Sequence, residues 1–148
     1  MVNKSQLNLL LELAKQCSEC AKKHFYSENS NEFLLKEDNS PLTKADLEVS
    51  KMAVNGLKKI FPNDTIVSEE TYSNKFKPLN KRFWLIDPID GTKEFINGNI
   101  NFTINFALIF LNKSIFGLIV QPCTDNVWYS FNSKSWKIEN SYNFLDSS

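Results

Sequence analysis

Apolar residues recur along the first part of the chain at helical spacing. Leu7, Leu10, Leu11, Ala14, Cys17, Ala21 and Phe25 share one stripe, which predicts a first helix from about Ser5 to Tyr26. The polar run Ser27 to Asn31 ends it. A second stripe of Ala45, Val49, Met52, Ala53, Leu57 and Ile60 predicts another helix, with Thr43 as its N-cap. Phe61-Pro62 stops this helix, because the residue before a proline is pushed out of helical geometry. Beyond that point the pattern shortens and becomes β-branched and aromatic. Thr65-Ile66-Val67, Phe83 to Ile86, Phe102 to Leu111, Ile115 to Gln121 and Val127 to Phe131 predict strands. Polar turns at Asn112-Lys113-Ser114, and around Pro122 and Asp125-Asn126, join the later ones. The expected architecture is α+β, with two helices packed on a largely antiparallel sheet.

Composition narrows the function. The 148 residues suit a single domain. With 17 basic and 17 acidic side chains the formal net charge is +0, which excludes a strongly basic nucleic-acid binder. An anionic small-molecule partner must therefore be held by a local site. No apolar run approaches the ~18 residues of a membrane span, and the start Met1-Val2-Asn3-Lys4-Ser5 lacks a signal-like apolar stretch. A cytoplasmic protein is the expectation. Three cysteines in such a chain argue against a disulfide framework. Cys17 and Cys20 form a C-x-x-C, but no second pair or His pair completes a tetrahedral site. They read as ordinary helix residues, and so does the sole histidine, His24.

The informative segment is Asp87-Pro88-Ile89-Asp90-Gly91-Thr92, directly after the apolar run Phe83 to Ile86. Two carboxylates three residues apart, at a strand end where proline and glycine force a turn, can converge on one point. Hard divalent cations such as Mg²⁺ take oxygen ligands, and a turn also exposes a carbonyl, here that of Ile89. Ser68-Glu69-Glu70 ends another short strand. If the two strands are neighbours, Glu69, Asp87 and Asp90 share one pocket. Like charges so close raise one another's pKa unless something neutralises them, and a bound metal does so. A site with two metal ions supports phosphoester hydrolysis by an activated water. Thr92 offers a hydroxyl to orient that water, Asp46 can accept its proton, and Gly91 and Thr92 can present N–H groups to a phosphate. Each feature also has an ordinary reading. Asp-Pro and Asp-Gly are common turn formers, Asp46 stands where an acidic residue caps a helix after Thr43, and Glu69-Glu70 can be a solvated pair.

Three segments together shift the balance: Ser40-Pro41-Leu42-Thr43-Lys44-Ala45-Asp46, Val67-Ser68-Glu69-Glu70, and Trp84 through Phe95 with its string D-P-I-D-G-T-K-E-F. They resemble the inositol monophosphatase superfamily of Mg²⁺-dependent, lithium-sensitive phosphatases. Lys93-Glu94-Phe95 is most similar to its 3′(2′),5′-bisphosphate nucleotidase branch. Asn105 to Ile109 and Gly117 to Pro122 extend the match, which runs from about Ser40 to Phe131. The resemblance implies the N-terminal part of an αβαβα layered fold. It implies Glu69, Asp87, Asp90 and the Ile89 carbonyl as metal ligands, with Glu69 and Thr92 orienting the water and Asp46 paired to Thr92. Substrate contacts would come from Glu69, Ile89, Asp90, Gly91 and Thr92. The implied reaction removes the 3′-phosphate of 3′-phosphoadenosine 5′-phosphate to give AMP. An inositol- or sugar-phosphate monoesterase is the alternative within the class.

One departure from the family stands out. Members carry a second half with a Trp-Asp-x-Ala type segment whose aspartate completes a second metal site. Asn143 to Ser148 offers nothing of that kind, and Asp146 lacks the preceding tryptophan. Residues 1–148 are therefore expected to form one truncated domain, the metal-binding half. A complementary fragment or self-association would then cover its open apolar surface. A non-catalytic remnant is the reading from a different class. Peripheral association with the inner membrane is implied by the resemblance alone.

Overall fold

The computed structural model describes residues 1–70 and 80–140; Asp146 lies outside them. The first helix, α1 (Lys4–Phe25), starts at a reciprocal cap: the Gln6 N–H donates to Asn3 Oδ1 at 2.8 Å and the Asn3 N–H to Gln6 Oε1 at 3.0 Å. Its buried stripe is the expected one except that Leu13 is buried, while Leu11 lies at the margin. Two two-residue strands follow, β1 (Leu34–Leu35) and β2 (Pro41–Leu42), paired antiparallel, which periodicity cannot signal at that length. The second helix, α2 (Lys44–Ile60), is capped by Thr43 as expected. Its Gly56 lies against the Leu13 side chain, where a Cβ would stand 2.3 Å from Cδ1, so glycine here lets the two helices approach closely.

Six strands form the main sheet in the order β3-β4-β5-β6-β7-β8. They are β3 (Thr65–Ser68), β4 (Arg82–Asp90), β5 (Thr103–Phe110), β6 (Lys113–Gln121), β7 (Asn126–Phe131) and β8 (Lys134–Ile138). Only β3 and β4 run parallel; every other pair is antiparallel. The expectation of two helices on a largely antiparallel sheet is met. β8 and the short helix α3 (Thr92–Ile96) are additions. The difference at β4 matters more: the strand does not end at Ile86 but continues through the Asp-Pro-Ile-Asp segment to Asp90.

The core lies between α1, α2 and one face of the sheet. Trp84, Ile86, Ile104, Phe106, Leu108, Phe116, Leu118 and Val120 alternate inward and meet Ala14, Cys17, Val49, Ala53 and Leu57. Phe25, Phe95 and Phe102 pack edge to face or tilted at 5.0 to 5.5 Å, which ties α3 to the end of α1. The opposite sheet face is open: Leu85 and Ile119 are about two-fifths exposed, at 40% and 42%.

Candidate metal centre

Parallel pairing of β3 with β4 brings their C-terminal ends together. Ser68 pairs with Ile86, and the Glu69 N–H continues the ladder to the Ile86 carbonyl at 3.0 Å. Glu69 therefore stands beside Asp87. Two residues three apart on a regular strand point to opposite faces. Here Asp87 pairs with Asn105 and Asp90 with Thr103, which are two apart, so β4 carries one extra residue between its aspartates. That bulge returns Asp90 to the face of Asp87, and Asn105 Nδ2 donates to Asp90 Oδ2 at 3.0 Å. The carboxylates thus gather on the open face by a bulge rather than by the expected turn. The turn comes one residue later, at Gly91, whose φ of +93° places a notional Cβ 3.1 Å from Glu94 Oε2 and 3.2 Å from the Asn101 carbonyl.

Asp87 is the strained member. Its Oδ1 is buried without a hydrogen-bond partner. Burial, then a proton shared with Glu69, then the charges of Glu69, Asp90 and Asp46 push its pKa up to about 8. Glu69, Asp87 and Asn105 line a groove of about 430 Å³ floored by Val67, Leu85 and Ala107. Asp90 is brought to the same face but is not drawn into one tight triad with Glu69 and Asp87. Among the described residues, the one His, Cys, Asp or Glu trio with all ligand atoms within 4.8 Å lies elsewhere.

Asp46 makes both of the contacts that its position offered, the helix cap and a hydrogen bond with Thr92. Its Oδ2 accepts from the Thr43 N–H at 2.8 Å and from Thr43 Oγ1 at 2.6 Å, closing the cap of α2. Its Oδ1 accepts from Thr92 Oγ1 at 3.2 Å, and the Ile89 carbonyl lies 3.2 Å from the same hydroxyl. Burial raises the Asp46 pKa, while hydrogen bonds from Thr43 and Thr92 and the charge of Lys36 oppose the rise. Lys36 has no counterpart in the sequence reading. It reaches from the β1–β2 loop to Glu70 Oε1 at 3.0 Å and to Glu69 Oε1 at 3.9 Å. Burial lowers its pKa, but the hydrogen bond and charge of Glu70 outweigh that and raise it. Nothing in local pattern marks a loop lysine as the counter-ion. Asn105 was discoverable, being a polar residue opposite Asp87 on an alternating strand.

Residues 3–142 match the model of the inositol monophosphatase family. The chain belongs to that family. Relatives within it include the 3′(2′),5′-bisphosphate nucleotidase CysQ of Salmonella typhimurium, 33% identical over 134 residues, covering 90% of this chain and 54% of that protein. CysQ of Haemophilus influenzae is 35% identical over 131 residues, or 87% of this chain and 48% of that one. The family fold is seen in an IMPase of Thermotoga maritima, with TM-score 0.78 and 25% identity over 90% of this chain and 51% of that structure. CysQ from Bacteroides thetaiotaomicron aligns with TM-score 0.66 and 27% identity, over 90% and 49% of the two chains. The chain spans about half the length of the curated family relatives it matches. No helix among the described residues is long and apolar enough to cross a membrane.

Proposed function

We propose that this chain carries the Mg²⁺-binding part of a phosphatase acting on 3′-phosphoadenosine 5′-phosphate. The observation that carries the reading is Asp87: a buried carboxylate oxygen without a hydrogen-bond partner beside a second carboxylate, its pKa pushed up to about 8 by burial and then by Glu69. Such a donor set suits a hard divalent ion. Glu69, Asp87, Asp90 and the Ile89 carbonyl would hold it. Bound there, Mg²⁺ supplies Lewis-acid charge that lowers the pKa of water and neutralises phosphate.

The chain's own groups do the rest. Thr92 has one hydroxyl proton, and donating it to Asp46 Oδ1 leaves its lone pairs to accept from water. Water then loses its proton toward Thr92 as Thr92 passes its own to Asp46. Glu69 holds the other side of the water, and the Gly91 and Thr92 amides face the phosphate. The new bond joins water oxygen to phosphorus, while the ester bond to the 3′-oxygen breaks and that oxygen takes a proton from solvent. The nucleotide preference rests on the CysQ relatives and on Lys93-Glu94-Phe95.

Phosphate release is the test, with 3′-phosphoadenosine 5′-phosphate and inositol 1-phosphate compared at the same Mg²⁺ concentration. Lithium-inhibited release from the nucleotide, lost in Asp90→Asn, is expected. Full activity in Asp90→Asn removes the metal assignment, and preference for the inositol ester moves the substrate to the alternative. The open sheet face supports a second reading, a subunit that turns over only when that face is covered. Calorimetric Mg²⁺ binding without turnover, together with self-association in light scattering, would favour it.

A further inference from the structure

The C-x-x-C of α1 draws attention to the wrong pair. Cys17 is fully buried in the core, whereas Cys20 and His24, one helical turn apart, face α2 together. There Glu48 meets both: its Oε2 lies 2.7 Å from His24 Nε2 and 3.7 Å from Cys20 Sγ. The three ligand atoms all lie within 4.8 Å of one another. We propose that Cys20, His24 and Glu48 form a binding site for a borderline divalent transition ion, Zn²⁺ above all, separate from the acidic Mg²⁺ centre.

The donor set selects the ion. One thiolate, one imidazole and one carboxylate is a mixture that zinc accepts and magnesium does not. Tetrahedral zinc with ordinary bond lengths holds S and O ligands about 3.6 Å apart and N and O ligands about 3.4 Å apart. The sulfur–carboxylate distance already fits. The imidazole–carboxylate hydrogen bond has to open slightly, which Glu48 permits because its side chain is 61% exposed. An ordinary His–Glu ion pair explains the 2.7 Å contact but not a thiol directed at the same oxygen. A groove between the helices borders Cys20 and Glu48, so an ion has access and a water can take the fourth position.

Burial, then the charge of Glu48, raise the Cys20 pKa to about 11, so the thiol is protonated in the empty site. Forming the Zn–S bond breaks the S–H bond and releases that proton to solvent, and His24 binds in its neutral form. Affinity must therefore rise with pH, with no electron transferred.

Co²⁺ is the spectroscopic probe, titrated under argon into the full chain kept reduced by a phosphine. The expected result is a near-ultraviolet thiolate-to-cobalt band that saturates at one equivalent and is abolished by Zn²⁺. Cys20→Ser should remove the band, and His24→Gln and Glu48→Gln should each weaken binding by about tenfold or more. Cys17→Ala should leave the band intact, and circular dichroism reports whether each variant keeps its helices. No band in the helical parent chain, or a band that survives Cys20→Ser, would overturn the site.

Discussion

Replacing Asp87 with asparagine should make the metal-free protein more stable at high pH while abolishing its response to Mg²⁺. The ordinary aspartate value is 3.8, and in the folded chain Asp87 stands at about 8. Between those limits the folded state binds the proton and the unfolded state has lost it, so stability falls as pH rises through this window. At 1.36 kcal/mol per pH unit the whole window corresponds to about 6 kcal/mol. Solvent reaching this half-buried group makes that figure an upper bound. Asparagine does not titrate. Comparing urea unfolding of Asp87→Asn and parent at pH 5 and pH 8.5 should thus show the variant gaining stability relative to the parent between the two, by at most about 4 kcal/mol. Mg²⁺ at 100 times its Kd should add about 2.7 kcal/mol to the parent and far less to the variant. Binding at pH 7 should also release nearly one proton, seen as a calorimetric heat that depends on the buffer. If Asp87→Asn gains nothing at pH 8.5, or is stabilised by Mg²⁺ as much as the parent is, the carboxylate is neither frustrated nor a ligand.

Other residues of the site give separable outcomes. Lys36→Met leaves Glu70, whose side chain is 3% exposed, without its cation and should cost about 2 kcal/mol in urea unfolding at pH 7; an unchanged midpoint would show the pair to be incidental. Gly91→Ala forces a Cβ into the left-handed region against the Asn101 carbonyl and should cost about 1–2 kcal/mol while displacing Thr92. Full retention of both stability and turnover would refute that. Thr92→Val should lower kcat by about 100-fold with KM little changed, whereas Thr92→Ser keeps the hydroxyl and most of the rate. Equal rates for the two would remove the proton path to Asp46.

The fold was legible wherever burial imposes a period. The stripes of α1 and α2 and the inward alternation of β5 and β6 arise from one covered face, and a covered face leaves its pattern in sequence. β8 was missed because its residues are mostly exposed and carry no such pattern. The site was legible for a different reason. Asp87, Asp90 and Thr92 lie within six consecutive residues, so a motif can hold them, and the proximity of Asp87 to Glu69 followed from one pairing, β3 with β4. What no motif could supply is relations across the fold. Lys36 acts as a counter-ion only because the β1–β2 loop passes Glu70, and Glu48 joins Cys20 and His24 only because α1 and α2 pack face to face. The acidic centre repeats the point at finer scale. Its composition could be read from the string of residues, but the orphaned oxygen of Asp87 is a property of burial. That burial, more than the number of acidic residues nearby, pushes its pKa up and gives a bound cation a charge to neutralise.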